Sequence, residues 1–483
     1  MKRYVLNSVY RFRGWHRLPA GLLDTRTKTV RFFPIPEYTF LLQCDGAHDI
    51  CPETLSDAEG VMLNRFLEQG LIHEAASGEL LQQEQVYRAY PAGYRREVHW
   101  AITGACNLRC RHCFMSAPSA RRGSPAFEDL IRIMDQIAEC GIFHVGITGG
   151  EPLIRDDFFL IIDELNRREI SVSAIYTNGW LVNEDFLNEL EARNVRPSFQ
   201  LSFDGMGHHD FLRGIDGAEQ RTIAALDLLH KRGYEVHVSM CLHRGNLDSI
   251  RESVNLLARL GAVSLKIGPM ADQGEWAAPE MRHLHLTNDE MFAAFESYIP
   301  QYFADNAPLS IILGGAFACT KGEKDWRIVN ELHIPAEKEA AVPSCMSLVN
   351  ELYIDPEGAA VPCMAMAEAD CRDQYPNVYE TPLSEILKDS DFMKRCFATV
   401  KDVREGNEQC RSCAYIDRCA GGCRACALEA GNYYGADPEA CDFFRHGWQT
   451  RIEAAAAPAF ESFRKRVPAD KEDRPSSGKT DCR

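Results

Sequence analysis

The stretch Val98-His-Trp-Ala-Ile-Thr103-Gly-Ala-Cys106-Asn-Leu-Arg-Cys110-Arg-His-Cys113 decides how the chain is read. It opens as a strand, Val98–Thr103, and runs into a short loop with three cysteines. Thiolates packed this closely can wrap one face of an iron–sulfur cubane. Such a cluster needs four ligands, and a closed structural zinc site also needs four, usually as two pairs. The odd count points to a cluster with one iron left open for a small molecule.

Working outward, strand and helix patterns alternate across residues 96–310. Strands are expected at Val98–Thr103, His144–Thr148, Ser171–Tyr176, Phe199–Phe203, Val236–Cys241 and Val263–Ile267. Helical periodicity falls between them, at Phe127–Cys140, Asp157–Arg168, Glu184–Arg193, Ala218–Lys231 and Asp248–Leu260. This spacing implies a parallel sheet with crossover helices. The expected fold class is α/β: a partial (β/α)6 TIM-like barrel with an N-terminal winged-helix-like domain and a C-terminal cysteine-rich iron–sulfur domain. In such folds the active site lies at the carboxyl ends of the strands. Cys106 follows the first strand and Gly149-Gly150-Glu151 the second.

Residues 1–95 show β-type runs at Tyr4–Phe12 and Thr29–Phe33, a turn signal at Cys44-Asp45-Gly46, and a helical pattern over Ser56–Gln69 stopped by Gly70. Residues 311–344 read as an irregular bridge, 345–450 as a cysteine-rich unit and 451–483 as a polar tail without periodicity, expected to be disordered. The net charge of −17 argues against a nucleic-acid partner. No apolar run approaches a membrane span and no apolar signal segment opens the chain, so the expected location is the cytoplasm. In a reducing compartment the nineteen cysteines, gathered mostly at 106–113 and 345–441, are metal ligands sooner than disulfides. Cys44, Cys51, Cys140, Cys241 and Cys482 carry no pattern; Cys140 and Cys241 read as small core residues.

Three cysteines spaced CxxxCxxC after the first strand of a β/α barrel, with His112 before the third, resemble the signature of the radical S-adenosylmethionine (SAM) superfamily. The resemblance implies a 4Fe–4S cluster on Cys106, Cys110 and Cys113, whose open iron chelates the methionine moiety of SAM. Reduction then yields a 5′-deoxyadenosyl radical. Gly149-Gly150-Glu151-Pro152 resembles the family's GGEP motif, implying that its backbone and the Glu151 side chain receive the methionine amino group. Asn178, at the end of the third strand, and Ser202 and Asp204, at the end of the fourth, are implied to bind ribose and the methionine carboxylate. Arg213 matches a family arginine that could pair with that carboxylate.

The run Cys345-x12-Gly358-x4-Cys363, then Cys410-x2-Cys413-x5-Cys419-x3-Cys423-x17-Cys441, resembles the SPASM extension. That family carries up to two auxiliary 4Fe–4S clusters. The resemblance implies Cys410, Cys413, Cys419 and Cys441 on the outer one, and Cys345, Cys363 and Cys423 on the inner one. The inner set lacks a fourth ligand: Cys319, Cys371, Cys396 or Cys426 fills the place, or the iron is open. The segments LLQCDGAHDI and FLEQGLI resemble the peptide-recognition domain of ribosomally made peptide pathways, similar to the leader-binding protein of pyrroloquinoline quinone biosynthesis. Lys2, Arg3, Arg11, Arg13, Arg17, Arg26, Lys28 and Arg31 face only Asp24, so a basic edge suited to an acidic leader is expected.

Together these resemblances imply a maturase of the sactipeptide or ranthipeptide type that forms thioether crosslinks in a precursor peptide. Its electrons would come from a partner such as flavodoxin or ferredoxin. Carbon–carbon crosslinking, epimerisation and maturation of a folded protein, as in the anaerobic sulfatase-maturing enzymes, remain open. So does a non-catalytic iron–sulfur electron carrier.

Overall fold

The computed structural model describes residues 2–466 except 114, 116–121, 273, 324 and 369–370. Cys482 and the expected disorder of residues 467–483 lie outside the described residues. The core strands are β1 Glu97–Ala101, β2 His144–Thr148, β3 Ser171–Thr177, β4 Ser198–Ser202, β5 Val236–Leu242 and β6 Ser264–Pro269. Each pairs in parallel with the next. The crossovers are α1 Phe127–Glu139, α2 Phe158–Arg167, α3 Glu184–Ala192, α4 Ala218–Lys231 and α5 Ile250–Arg259. Their apolar stripes face the sheet; in α1, Leu130, Ile133, Met134 and Ile137 are buried. Strand residues alternate to match. Phe199 and Leu201 of β4 are buried, while Ser198, Gln200 and Ser202 take the opposite face.

The six-unit count falls short by two strands. A further helix, α6 Asn288–Ala304, started by a Thr287/Glu290 capping box, leads into β7 Ser310–Leu313, parallel to β6. On the other edge β8 Glu351–Ile354, from the cysteine-rich unit, pairs in parallel with β1. The parallel order is β7-β6-β5-β4-β3-β2-β1-β8, and antiparallel strands follow at both ends. Both additions are only four residues long, too short for a sequence pattern to announce.

The N-terminal residues form two small sheets. Strands Val30–Phe32, Leu18–Asp24, Tyr10–His16 and Arg88–Gly93 make one; Asp45–Ile50, Lys2–Leu6 and Ile72–Glu74 make the other. The expected run Tyr4–Phe12 is broken because Asn7 makes a turn, its side chain accepting from Val9 N–H at 3.3 Å. A helix at Ile35–Leu42, with proline at its start, was not expected. The expected helix runs Asp57–Glu68, capped by Ser56 and Glu59.

The expected basic edge is not present as free charge. Lys2 pairs with Glu74 (2.8 Å), Arg3 with Asp49 (2.8 Å), Arg11 with Glu169 (2.8 Å), Arg17 with Asp389 (2.6 Å) and Arg26 with Asp24 (2.6 Å). Arg13 is buried and donates to the carbonyls of Phe12, Glu84 and Val86. Lys2, Arg3 and Arg26 pair within the N-terminal segment, Arg11 and Arg17 pair with acids far along the chain, and Arg31 bonds the neutral Gln69, so counting charges over the first thirty-one residues overstated their potential.

The tail reading also changes. Residues Trp448–Arg466 form a helix whose Ile452, Ala456 and Phe460 are buried. Phe460 lies against Phe303 of α6, ring centroids 5.3 Å apart. Among the described residues no helix is long and apolar enough to cross a membrane. Ile452 is fully buried, so Ile452→Ala should cost about 2–4 kcal/mol, read as a lower urea midpoint. An unchanged midpoint would show that this helix does not belong to the cooperative core.

Candidate functional site

The cysteine loop is stitched to the end of β2. Ile102 N–H donates to the Thr148 carbonyl at 3.0 Å, Gly150 N–H to Thr103 at 2.8 Å and Glu151 N–H to Ala105 at 2.9 Å. This close backbone approach explains the glycines. A Cβ on Gly149 would collide with the Thr103 carbonyl oxygen, and one on Gly150 with that of Ala105. On its other side the loop is stitched to the short helix His209–Arg213: Arg109 N–H donates to the Arg213 carbonyl (3.1 Å) and Arg111 N–H to Leu212 (2.9 Å).

Glu151 is completely buried. Its carboxylate accepts from Thr177 Oγ1 at 2.8 Å, Asn178 N–H at 2.7 Å and Leu153 N–H at 3.1 Å. Burial pushes its pKa up to about 7 against these donors. The side chain joins β2 to β3 inside the protein. Asn178 turns to the cysteine loop, with Nδ2 2.8 Å from Asn107 Oδ1 and 3.9 Å from Cys106 Sγ. Ser202 closes β4 and is half-buried.

Asp204 and Arg213 are drawn into the protein as well. Asp204 is completely buried, pairs with Arg213 Nη2 at 2.6 Å and accepts from Cys241 N–H at 3.1 Å. Arg213 Nη1 points at Cys110 Sγ, 3.6 Å away. Burial is the largest single influence on Asp204 and pushes it up, but the Arg213 guanidinium, His209 and His112 together hold it well below the usual carboxylate range. Cys140 is a core residue, as expected, but Cys241 sits at the strand rim, where it, His112 and Asp204 place ligand-type atoms within 4.8 Å of one another. No sequence motif marked Asn107.

The donor set suits a cluster on Cys106, Cys110 and Cys113. The sulfurs of Cys106 and Cys110 stand among N–H donors, including Leu108 N–H at 3.4 Å from Cys106 Sγ, as thiolate ligands require. Burial pushes the Cys106 thiol up to about 12, so a bound metal must supply the charge that keeps it ionised.

The second cysteine group separates into two sets. Cys410, Cys413 and Cys441 all act electrostatically on Cys419, and Gly421 N–H donates to Cys419 Sγ at 3.4 Å. Cys345 and Cys423 act on Cys363. These groupings coincide with those that the resemblance to the SPASM extension implied, and each could hold one cluster. Of the candidates for a fourth inner ligand, Cys319 lies elsewhere, in the strand Phe317–Cys319. Cys371 donates to Tyr375 Oη at 3.5 Å. Cys396 lies near Arg95 and Cys345, and Cys426 contacts Cys423 from the start of helix Arg424–Glu429, holding that thiol below its usual range.

Several contacts fix this unit to the barrel. β8 is one. Another is Arg122, which follows the cysteine loop and pairs with Glu368 (2.9 Å) and Glu357 (3.2 Å); Gln136 of α1, bonded to Val378 and Leu383, is a third.

Residues 100–257 match the model of the radical SAM superfamily, and residues 345–414 that of an iron–sulfur cluster-binding domain, SPASM. The chain is a radical SAM enzyme with a SPASM extension. The first domain uses SAM and a 4Fe–4S cluster; the second binds auxiliary iron–sulfur clusters. The chain is 26% identical to the AdoMet-dependent heme synthase of Methanosarcina barkeri, over 71% of this chain and 95% of that protein. It is 26% identical to the mycofactocin maturase MftC of Mycolicibacterium smegmatis, over 76% of this chain and 84% of that one. Among solved structures, Streptococcus suis SuiB shares the fold with a TM-score of 0.61 at 16% identity, covering 90% of this chain and 99% of SuiB. Native anSMEcpe with bound AdoMet and Cp18Cys peptide gives 0.55 at 16% identity, covering 77% of this chain and 99% of that one.

If the two cysteine sets hold separate clusters, Cys419→Ala and Cys363→Ala should each lose about four irons per chain and the double variant about eight. Iron and sulfide analysis of reconstituted protein measures this. Losses that fail to add would contradict two separate centres.

Proposed function

We propose that this enzyme modifies a ribosomally made precursor peptide, forming thioether crosslinks in it. The observation that carries the reading is an open strand edge. Val30–Phe32 ends the four-stranded N-terminal sheet, paired only with Leu18–Asp24. Phe33 N–H donates inward to Ala20 and Asp24 N–H to the Thr29 carbonyl, so by alternation Val30 and Phe32 turn their N–H and C=O groups outward. Helix Asp57–Glu68 lies beside this edge, with Phe66 against Phe33 and Gln69 bonded to Arg31. A peptide strand can add there, reading backbone first and side chains second. Most nearby cations are already paired, while Arg31 on the edge itself bonds the neutral Gln69, so strand addition is the main source of affinity and attraction of an acidic side chain to Arg31 a smaller one.

Two comparisons support this. The SuiB alignment omits about a tenth of the chain, fewer residues than the N-terminal unit contains, so part of that unit shares the SuiB fold. SuiB has also been solved bound to its precursor peptide SuiA.

When bound, the cluster and SAM supply a 5′-deoxyadenosyl radical. Cys106, Cys110 and Cys113 hold the cluster at the barrel mouth, and the Gly149-Gly150 backbone offers close approach to SAM. The interior face of the strands receives the peptide core; it is polar, with Glu97, His99, Tyr176, Lys266 and Glu351 on it. In the product a C–S bond replaces one C–H and one S–H bond. One hydrogen leaves with 5′-deoxyadenosine, the other as a proton, and the electron passes to the reducing system, a flavodoxin or ferredoxin.

Val30→Pro removes one outward N–H while leaving the ladder bonds of Arg31 in place. It should weaken binding of the precursor peptide at least tenfold, by fluorescence anisotropy, and leave reductive SAM cleavage intact. Unchanged affinity would overturn the docking reading.

A second reading, haem formation, is favoured by the likeness to the heme synthases. A Soret band growing during turnover with an iron-tetrapyrrole precursor would select it over peptide modification.

A further inference from the structure

Arg213 occupies a position that neither its sequence neighbourhood nor its implied role explains. It ends the short helix His209–Arg213, whose backbone is bonded to the cysteine loop at Arg109 and Arg111. The turn after it needs a glycine: Gly214 is left-handed (φ 67°), and a Cβ there would strike the Arg109 carbonyl. The side chain is thereby fixed inward and is only 8% exposed.

Its hydrogen-bonding groups are divided. Nη2 forms an ion pair with Asp204 Oδ2 at 2.6 Å without hydrogen-bond geometry, and Nη1 donates to Cys110 Sγ at 3.6 Å. Nε is buried without a protein partner. His209 lies 3.3 Å from Asp204 but is not its counter-ion. Its Nδ1 accepts the Asp204 backbone N–H at 3.0 Å, and so carries no proton. Arg213 is the cation that balances Asp204.

We propose that Arg213 sets the reduction potential of the cluster on the 106–113 loop, with Asp204 as the positioning residue that aims it and moderates its charge. The inference rests on the reading that Cys106, Cys110 and Cys113 hold that cluster. Reduction adds one electron to an anionic thiolate-ligated centre. A charged donor on a ligand sulfur stabilises the reduced form, so the cluster accepts its electron more readily. The buried carboxylate of Asp204 opposes that effect, so the pair fixes an intermediate potential. A guanidinium divided between Asp204 and Cys110 still has Nε and the second N–H of each Nη uncommitted, so recognition of a SAM carboxylate is the competing role that the experiment must separate.

The test is a redox titration followed by electron paramagnetic resonance on the reconstituted full-length enzyme without SAM. The signal to follow is the one that changes shape when SAM is added to a parallel sample. Arg213→Gln should lower the midpoint, making reduction about tenfold less favourable, or about 59 mV for one electron. Asp204→Asn keeps the guanidinium and removes the opposing charge, so it should raise the midpoint. Shifts of opposite sign support the proposal, because damage to the loop would move both variants the same way or strip their iron. An unshifted midpoint in Arg213→Gln combined with weakened SAM binding would overturn it in favour of carboxylate recognition. Cys110→Ala separates the two levels. If the SAM-responsive signal survives in it, the ligand assignment fails; if it is lost while Arg213→Gln shows no shift, only the present inference fails.

Discussion

The buried carboxylate of Glu151 is the constraint on which the rest of the site depends. An isolated carboxylate in such a place is strongly disfavoured, and three donors from Leu153, Thr177 and Asn178 offset that cost. In satisfying it, the protein fixes the ends of β2 and β3 relative to each other. Asn178, held by its backbone on Glu151, then uses its side chain to hold Asn107 inside the cysteine loop. The same segment supplies the glycines that let the loop lie flat against β2. Loss of this knot would free the loop at the point where three sulfurs must converge.

The loop is held on every side. β2 binds its first residues, and the His209–Arg213 helix binds its middle. Trp276 N–H donates to the Arg111 carbonyl at 2.8 Å from the segment after β6. Beyond the loop, Arg122 clamps onto Glu357 and Glu368 of the SPASM unit. Strand β8 pairs Glu351 with Glu97 at the barrel edge, and Cys345 lies one short helix before it. Radical and auxiliary sites are thus parts of one sheet-based frame. The N-terminal sheets join it through Trp15 Nε1, which donates to the Cys140 carbonyl at 3.0 Å, and through Arg17 and His16 on Asp389.

Much of the barrel was legible because its signals are local. β2 and α4 fall on the residues that alternation and helical periodicity marked. What escaped depends on distant partners. β7 and β8 are too short to carry a pattern and exist because the sheet offers them an edge. The C-terminal helix is alanine-rich and contains Pro458, so its periodicity is faint until α6 receives it. Asn178, Asp204 and Arg213 were located at the strand rim, but sequence cannot say which way a rim side chain turns. Here they turn toward the cysteine loop and one another. The basic N-terminal segment misled in part for the same reason, since Glu169 and Asp389 neutralise Arg11 and Arg17 from far along the chain.

The central claim is that Cys106, Cys110 and Cys113 carry the cluster that reduces SAM. Its most direct measurement is anaerobic formation of 5′-deoxyadenosine by the reconstituted enzyme with dithionite, compared with a variant in which all three are alanine. The wild type should release 5′-deoxyadenosine and methionine in equal amounts, and the variant none, while keeping the iron of its auxiliary clusters. Undiminished cleavage by the triple variant would contradict the account.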